Sequence, residues 1–274
     1  MVQPRIVLTI AGSDSGGGAG IQADLRTFAA HGVHGTTAIT AITAQNTLTV
    51  TAVCALEAEM VVEQIDVVVR DLAVVAVKTG MLARPATVRA VARQAALGQL
   101  PFLVVDPVLV SSTGHDLMEE GGAEAYRRDL LPHAFIATPN LREAALLTGI
   151  PLSDIYTVND MVSLGRAVLD FGSQHVLLKG GHFAEGSPTE GGAPDIVVWS
   201  NGVEIIEAER VVTKNDHGTG CSMAAAITAN LALGYEPLEA IRRAKSFVHD
   251  ALQRSASWKL GTGHGPIDHL GWNQ

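Results

Sequence analysis

The chain alternates short apolar runs with segments whose apolar residues recur at helical spacing. Residues 5–11 (RIVLTIA) read as a buried strand, and 21–30 as a helix stopped by His31-Gly32. The run 36–44 (TTAITAITA) is β-branched and alternating and predicts one strand, with a shorter one over 49–56. Strands also follow at 74–78, 102–106, 134–138 and 175–179, and 196–200 with 203–207 form a hairpin across Asn201-Gly202. Helices are expected over 57–72, 85–96, 119–131, 141–147, 158–171, 219–233 and 237–254. A Gly/Pro/polar loop occupies 185–193, and the tail from Ser255 reads as irregular.

Strands separated by helices imply βαβ units, hence an α/β fold with a mainly parallel central sheet and helices on both faces. No linker or repeat divides the chain, so one domain spanning 1–274 is expected. Ligands in such sheets bind at the carboxyl ends of the strands. Six of these ends carry polar or glycine-containing segments: 12–20, 44–46, 78–81, Asp106-Pro107, Pro139-Asn140 and Lys179-Gly180-Gly181-His182.

Composition narrows the chemistry. The 274 residues are 47% hydrophobic, which excludes global disorder, and 19 basic against 28 acidic side chains give a net charge of −9. That charge argues against nucleic acid as a partner, so any bound phosphate needs a local device. The longest apolar stretch, 221–235, is broken by Ser222, Thr228 and Asn230 and predicts a buried helix, not a membrane span. The apolar run 6–11 leads into Gly12-Ser13-Asp14, not a cleavage site, and two cysteines are too few for a disulfide framework. The expected location is the cytoplasm, with no membrane partner.

Four constellations stand out. The glycines of 12–20 fail both the dinucleotide spacing and the lysine-containing phosphate-loop pattern, which removes a nicotinamide-dependent oxidoreductase. Their density after a strand points instead to backbone that approaches a ligand closely. Asn215-Asp216-His217-Gly218-Thr219-Gly220-Cys221 opens the Ala-rich helix, where free N–H groups and the helix dipole favour an anion. Cys221 in that first turn is expected to have a lowered thiol pKa and to take a proton from a substrate hydroxyl; small-residue packing is the competing reading. Cys54 has no such setting and reads as packing. Asp106 with Asn140 and Glu143 offers carboxylates for Mg²⁺ through waters and phosphates, while Asn140 and Glu143 also match a helix capping box. Lys179 can neutralise a phosphate. The ten histidines show no zinc spacing, and His264 and His269 acquire no role.

Taken in order, 10–24 (IAGSDSGGGAGIQAD), Ala44-Gln45-Asn46-Thr47, Lys78-Thr79-Gly80-Met81-Leu82, Val105-Asp106-Pro107-Val108, Thr138-Pro139-Asn140, 178–182 (LKGGH) and 217–221 (HGTGC) resemble a known family. They look like the hydroxymethylpyrimidine/phosphomethylpyrimidine kinases of thiamine biosynthesis, of the ribokinase-like superfamily that also contains the similar pyridoxal kinases. The resemblance runs nearly the whole chain, ending with Gly263-His264-Gly265-Pro266. It implies a ribokinase-like three-layer sandwich, a homodimer, and two successive ATP-dependent phosphorylations of 4-amino-5-hydroxymethyl-2-methylpyrimidine and its monophosphate. It further implies that Gln45 pairs with the pyrimidine edge, with Gly12, Asp24 and Met81 lining the same pocket. Cys221 takes the place of the catalytic aspartate of ribokinase-like sugar kinases, and Gly218, Thr219 and Gly220 form the anion hole. Lys179 and Asn140 serve ATP, and Glu143 serves Mg²⁺.

Two departures accompany the resemblance. Ser111-Ser112-Thr113-Gly114 replaces a Lys-Ser-Gly segment, so a basic contact to phosphate is either absent or supplied from elsewhere, with Lys214 the candidate. Asp216 stands where threonine is usual and adds negative charge beside the anion hole. A pyridoxal/pyridoxine kinase and a non-catalytic ligand-binding homologue are the alternatives.

Overall fold

The computed structural model describes residues 3–110, 117–181 and 194–272. In chain order the elements are β1 (Ile6–Ala11), α1 (Gly20–Ala30), β2 (His34–Ile39), β3 (Ala41–Gln45), β4 (Val50–Ala55), α2 (Ala58–Asp71), β5 (Val74–Thr79), α3 (Pro85–Ala96), β6 (Val104–Val105), α4 (Gly122–Ala125), β7 (Ile136–Ala137), α5 (Leu141–Thr148), α6 (Val158–Leu169), β8 (His175–Leu178), β9 (Asp195–Trp199), β10 (Gly202–Ile206), α7 (Thr219–Ala232) and α8 (Pro237–Ser255). Eight strands form one sheet in the order β10-β9-β8-β7-β6-β5-β1-β2. The six from β8 to β2 are parallel; β9 and β10 add the predicted antiparallel hairpin at the far edge.

Alternation along each strand sorts side chains into two layers. Leu8 and Ile10 of β1, and Val176 and Leu178 of β8, join α2, α3, α5 and α6 in one core. Leu177 of β8 meets α7 and α8 on the other face, and Val7 of β1 meets Phe28 of α1 and Ala225 of α7. The outcome is the expected three-layer α/β/α sandwich. Helix α7 is buried from Ser222 through Ala232. Its alanines keep it close to the sheet, and its polar residues satisfy themselves within the helix. Ser222, Thr228 and Asn230 donate to the carbonyls of Gly218, Ala224 and Ala226, four residues back, at 2.8–2.9 Å.

Two expected elements are cut differently. The run 36–44 is not one strand: β2 ends at Ile39, Thr40 donates its hydroxyl to Met81 O at 2.6 Å, and β3 leaves the main sheet. β3 and β4 instead pair antiparallel as a separate hairpin standing over the carboxyl end of β1. The expected helix 119–131 is reduced to α4, a π turn over Tyr126–Leu130 and a 3₁₀ turn ending before the next strand. Pro132 cannot continue an α-helix, which accounts for the tightening there.

Candidate active site

Sheet order brings the carboxyl ends of β1, β5, β6, β7 and β8 side by side, so Gly12, Gly80, Asp106, Asn140 and Lys179 share one edge. The amino end of α7 meets that edge. Its cap, Gly218, has φ +86°, and a Cβ there would lie 1.9 Å from Gly18 O, so only glycine lets the helix start this close to the loop after β1. A Cβ built on Gly220 would sit 3.2 Å from Lys179 Nζ, which places the ammonium over the first turn of α7. The first-turn N–H groups of a helix lack intrahelical partners. An anion at this point therefore meets the opening turn of α7, where Thr219 N already donates to Asp216 O at 3.3 Å, together with the helix dipole and Lys179.

Lys179 is held by Asp106, whose Oδ1 accepts from Nζ at 2.8 Å and from Thr138 Oγ1 at 3.2 Å. Burial pushes the Lys179 ammonium pKa down, but the Asp106 and Glu143 carboxylates outweigh it and the net shift is upward. Asn140 and Glu143 form the capping box of α5: Glu143 N donates to Asn140 Oδ1 at 2.9 Å, and Asn140 N to Glu143 Oε2 at 2.8 Å. Burial drives Glu143 up to about 8; Lys179 opposes the shift and Asp106 adds to it. Capping and a place beside Lys179 coexist at these two residues.

Cys221 overturns one expectation. Its thiol is not lowered by the helix end but raised to about 11, because burial dominates and Asp24 and Asp106 push the same way. The Lys78 ammonium pulls it down without prevailing. Lys78 is itself fully buried on β5 and donates to both Asp24 oxygens at 2.9 Å; Thr9 donates to Asp24 Oδ2 at 2.6 Å. Asp24 is thus a wholly buried member of an ion pair beneath the site, not a pocket-lining group. Its oxygens are committed to Lys78 and Thr9.

The glycine-rich loop also differs from the expectation that its backbone meets a ligand. Asp14 accepts the N–H groups of Gly16 (2.8 Å), Gly18 (2.9 Å) and Ala19 (2.8 Å), so the nest cradles an internal carboxylate. His217 Nε2 lies 2.9 Å from Asp14 Oδ2, with its ring against Gly18. Burial pushes Asp14 up, but His217 and the Ala19 and Gly16 N–H groups outweigh it and hold the carboxyl below its usual range. Asp14 and His217 were missed in the sequence; the available signal was an aspartate two residues before a glycine, the Asx-turn arrangement.

The β3–β4 hairpin docks on this loop through Ser13 and Ser15. Ser15 Oγ receives Gln45 N at 2.7 Å and donates to Gln45 O at 2.8 Å. The Gln45 carboxamide lies with one end 3.3 Å from His217 Nε2 and the other 3.4 Å from Thr43 Oγ1. Gly12 and Met81 are adjacent: Gly12 N donates to Met81 O at 3.1 Å, and a Cβ on Gly12 would reach Met81 Sδ at 3.3 Å. Gly12 and Met81 are thus in contact, and Gln45 stands on the hairpin whose Thr43 donates to the carbonyl of Ser13, the residue after Gly12.

The tail is irregular but tied to the site. His264 N donates to Thr47 O at 2.9 Å, His217 N to Gly265 O at 3.1 Å, and His264 Nδ1 lies 2.7 Å from Asp216 Oδ1. The Asp216 carboxylate therefore has the His264 ring as a hydrogen-bond neighbour. His269, held far below its usual range at about 4 by burial, lies 2.8 Å from Ser222 Oγ, one residue after Cys221. Lys214 is exposed ahead of α7 and makes no side-chain hydrogen bond or ion pair with the Lys179–Asp106 cluster among the described residues. Cys54 is exposed on β4, not packed. Ser111–Gly114, His182 and the loop 185–193 lie outside the described residues.

Comparison with known proteins identifies the frame. The family model described as phosphomethylpyrimidine kinase matches residues 14–268. A hydroxymethylpyrimidine/phosphomethylpyrimidine kinase of Rhizobium meliloti is 45% identical over 268 residues, covering 97% of each chain. A phosphomethylpyrimidine kinase structure from Clostridium difficile aligns at 40% identity and TM-score 0.78, over 90% of this chain and 99% of that one. A Staphylococcus aureus pyridoxal kinase, solved with AMP-PCP and pyridoxal, aligns at 33% identity and TM-score 0.87, over 100% and 96%.

Proposed function

The chain belongs to the phosphomethylpyrimidine kinase family, and from that premise we propose that residues 1–274 act as a single kinase domain in thiamine biosynthesis. It uses ATP to phosphorylate 4-amino-5-hydroxymethyl-2-methylpyrimidine and then converts the monophosphate to the diphosphate. The observation that carries the reading is the Lys179 ammonium over Gly220 at the start of α7, with the Gln45 carboxamide on the neighbouring hairpin.

Gln45 reads the ring edge, its oxygen accepting from the 4-amino group and its NH₂ donating to the adjacent ring nitrogen. Met81 and the bare backbone of Gly12 flank the ring, and Asp24 supports them from beneath. Lys179 and the N–H groups of Gly218, Thr219 and Gly220 hold the phosphoryl oxygens, which is most of what such a transfer requires. Asn140 and Lys214 are the further residues assigned to ATP. Cys221 is the proton acceptor for the hydroxymethyl oxygen. Only its thiolate can accept, so turnover rises with pH toward the thiol's value near 11.

No group of three or more His, Cys, Asp or Glu side chains able to hold a metal exists among the described residues. Asp106 and Glu143 nevertheless fit Mg²⁺ that keeps waters and phosphate ligands: both are hard oxygen donors, and Asp106 already raises Glu143. When bound, the ion supplies charge neutralisation at the transferred group. A homodimer and a cytoplasmic location complete the proposal; sedimentation distinguishes two chains from one. No helix among the described residues is long and apolar enough to cross a membrane.

The fold match to a pyridoxal kinase supports a second reading, phosphorylation of pyridoxal. A coupled ADP-release assay with the pyrimidine alcohol, its monophosphate and pyridoxal separates the two. ADP with the first two is expected; pyridoxal preference promotes the second reading, and no ADP with any of them removes both.

A further inference from the structure

Gln45 sits between two neighbours whose protons are already committed. The Thr43 hydroxyl donates its only hydrogen to Ser13 O at 2.8 Å, which leaves lone pairs facing the carboxamide end 3.4 Å away. Asp14 accepts three backbone N–H groups and lies 2.9 Å from His217 Nε2. A carboxylate in that nest only accepts, so Nε2 must carry the imidazole proton and point it at Asp14. A ring nitrogen that carries a hydrogen has no lone pair to receive a second donor. An NH₂ at the carboxamide end 3.3 Å from His217 would find no lone pair to donate to, whereas an oxygen there faces the positive end of the N–H that Asp14 holds. That end is therefore the oxygen, and the end near Thr43 the donor. Both neighbours independently require the same half-turn: oxygen toward His217 and NH₂ toward Thr43.

We propose that His217, oriented by Asp14, and Thr43 are specificity-determining positioning residues that fix the order of acceptor and donor Gln45 offers to a substrate ring. This deepens the proposed function and rests on Gln45 facing the substrate. The oxygen on the His217 side receives an exocyclic amino group, and the NH₂ on the Thr43 side donates to an unprotonated ring nitrogen. A 4-aminopyrimidine presents that order. Its 4-oxo counterpart, with a carbonyl oxygen and a ring N–H, presents the reverse and is accepted only if the carboxamide turns over. Turning it over aims an NH₂ at the His217 N–H and an oxygen at the Thr43 lone pairs. The discrimination is thus built into residues that need not touch the substrate.

Two readouts on the full-length protein decide the matter. The first is the ratio of kcat/KM for 5-hydroxymethyl-2-methylpyrimidine bearing a 4-amino or a 4-oxo group. His217→Phe keeps a ring against Gly18 but loses the N–H, and the amino-over-oxo ratio is expected to fall by about 10-fold or more. Thr43→Val is expected to lower it in the same direction, while His217→Gln, which keeps an N–H for Asp14, restores part of it. Equal losses for both substrates with an unchanged ratio in His217→Phe and Thr43→Val would mean that these residues are only structural, and would overturn the proposal. The second readout is the nitrogen spectrum of ¹⁵N-histidine-labelled wild-type protein, with His217 assigned by its loss in His217→Gln. An Nε2–H tautomer is expected, and an Nδ1–H tautomer overturns the assignment. If the wild type turns over neither pyrimidine, the proposed function fails while the spectrum still decides the orientation.

Discussion

At the end of the site facing Gln45, each charged or polar group meets a partner: Asp14 has three N–H donors and His217, and Ser15 closes a two-way bond with the Gln45 backbone. At the end facing Cys221, Asp106 and Glu143 crowd one lysine, Glu143 is pushed to about 8 and the thiol to about 11. The contrast separates two tasks. Recognition of a neutral ring needs a preorganised edge, whereas transfer of a charged group needs an environment that is completed when phosphate and its cation arrive. A net charge of −9 speaks against diffuse polyanion binding and leaves room for this one locally positive point.

Substitutions at the two ends should therefore fail differently. Lys179→Met removes the cation over the α7 end and is expected to lower kcat/KM for ATP by roughly 10³-fold, with little change in pyrimidine affinity. A comparable loss in both substrates' KM would erase the division of labour. Cys221→Ala is expected to lower kcat by roughly 10²-fold with KM values retained; near wild-type turnover would make the thiol a packing group. Gln45→Ala should raise KM for the pyrimidine about 10-fold and leave ATP KM alone, which steady-state kinetics with each substrate varied in turn will read.

The smallest effect is on stability. Glu143 is neutral in the folded protein up to about pH 8 but ionises near its ordinary value of 4.5 when unfolded. Between those values the unfolded chain binds fewer protons than the folded one, so folding stability falls as pH rises. Glu143→Gln keeps an oxygen for Asn140 N and escapes this loss. It should melt like the wild type below pH 4.5 and be more stable by roughly 1–3 kcal/mol near pH 7, while losing activity. A variant less stable at pH 7 would show that the carboxylate is compensated after all.

Most of the frame was legible because buried parallel strands betray themselves as apolar runs, and their polar followers mark the ligand edge. The split of 36–44 was hidden because Thr40 carries no turn chemistry; only its bond to Met81 O, across the sheet, reveals why the chain turns there. Lys179 and the α7 opening were singled out by local sequence, whereas the role of Gln45 came only with the family resemblance. Asp14–His217 was not singled out, since 203 positions separate the partners. The thiol was misread for a related reason. A helix terminus is visible in sequence, whereas burial and the carboxylates of Asp24 and Asp106 reach Cys221 only through the fold.

The contrast between the two ends rests most heavily on Cys221, and its thiol can be titrated directly. In a Cys54→Ser background, the rate of iodoacetamide alkylation of the nucleotide-free protein is followed from pH 6 to 11.5. The account predicts a rate that climbs through the alkaline range with a midpoint near 11. A plateau reached by pH 8 would mean an already activated thiolate and would contradict it.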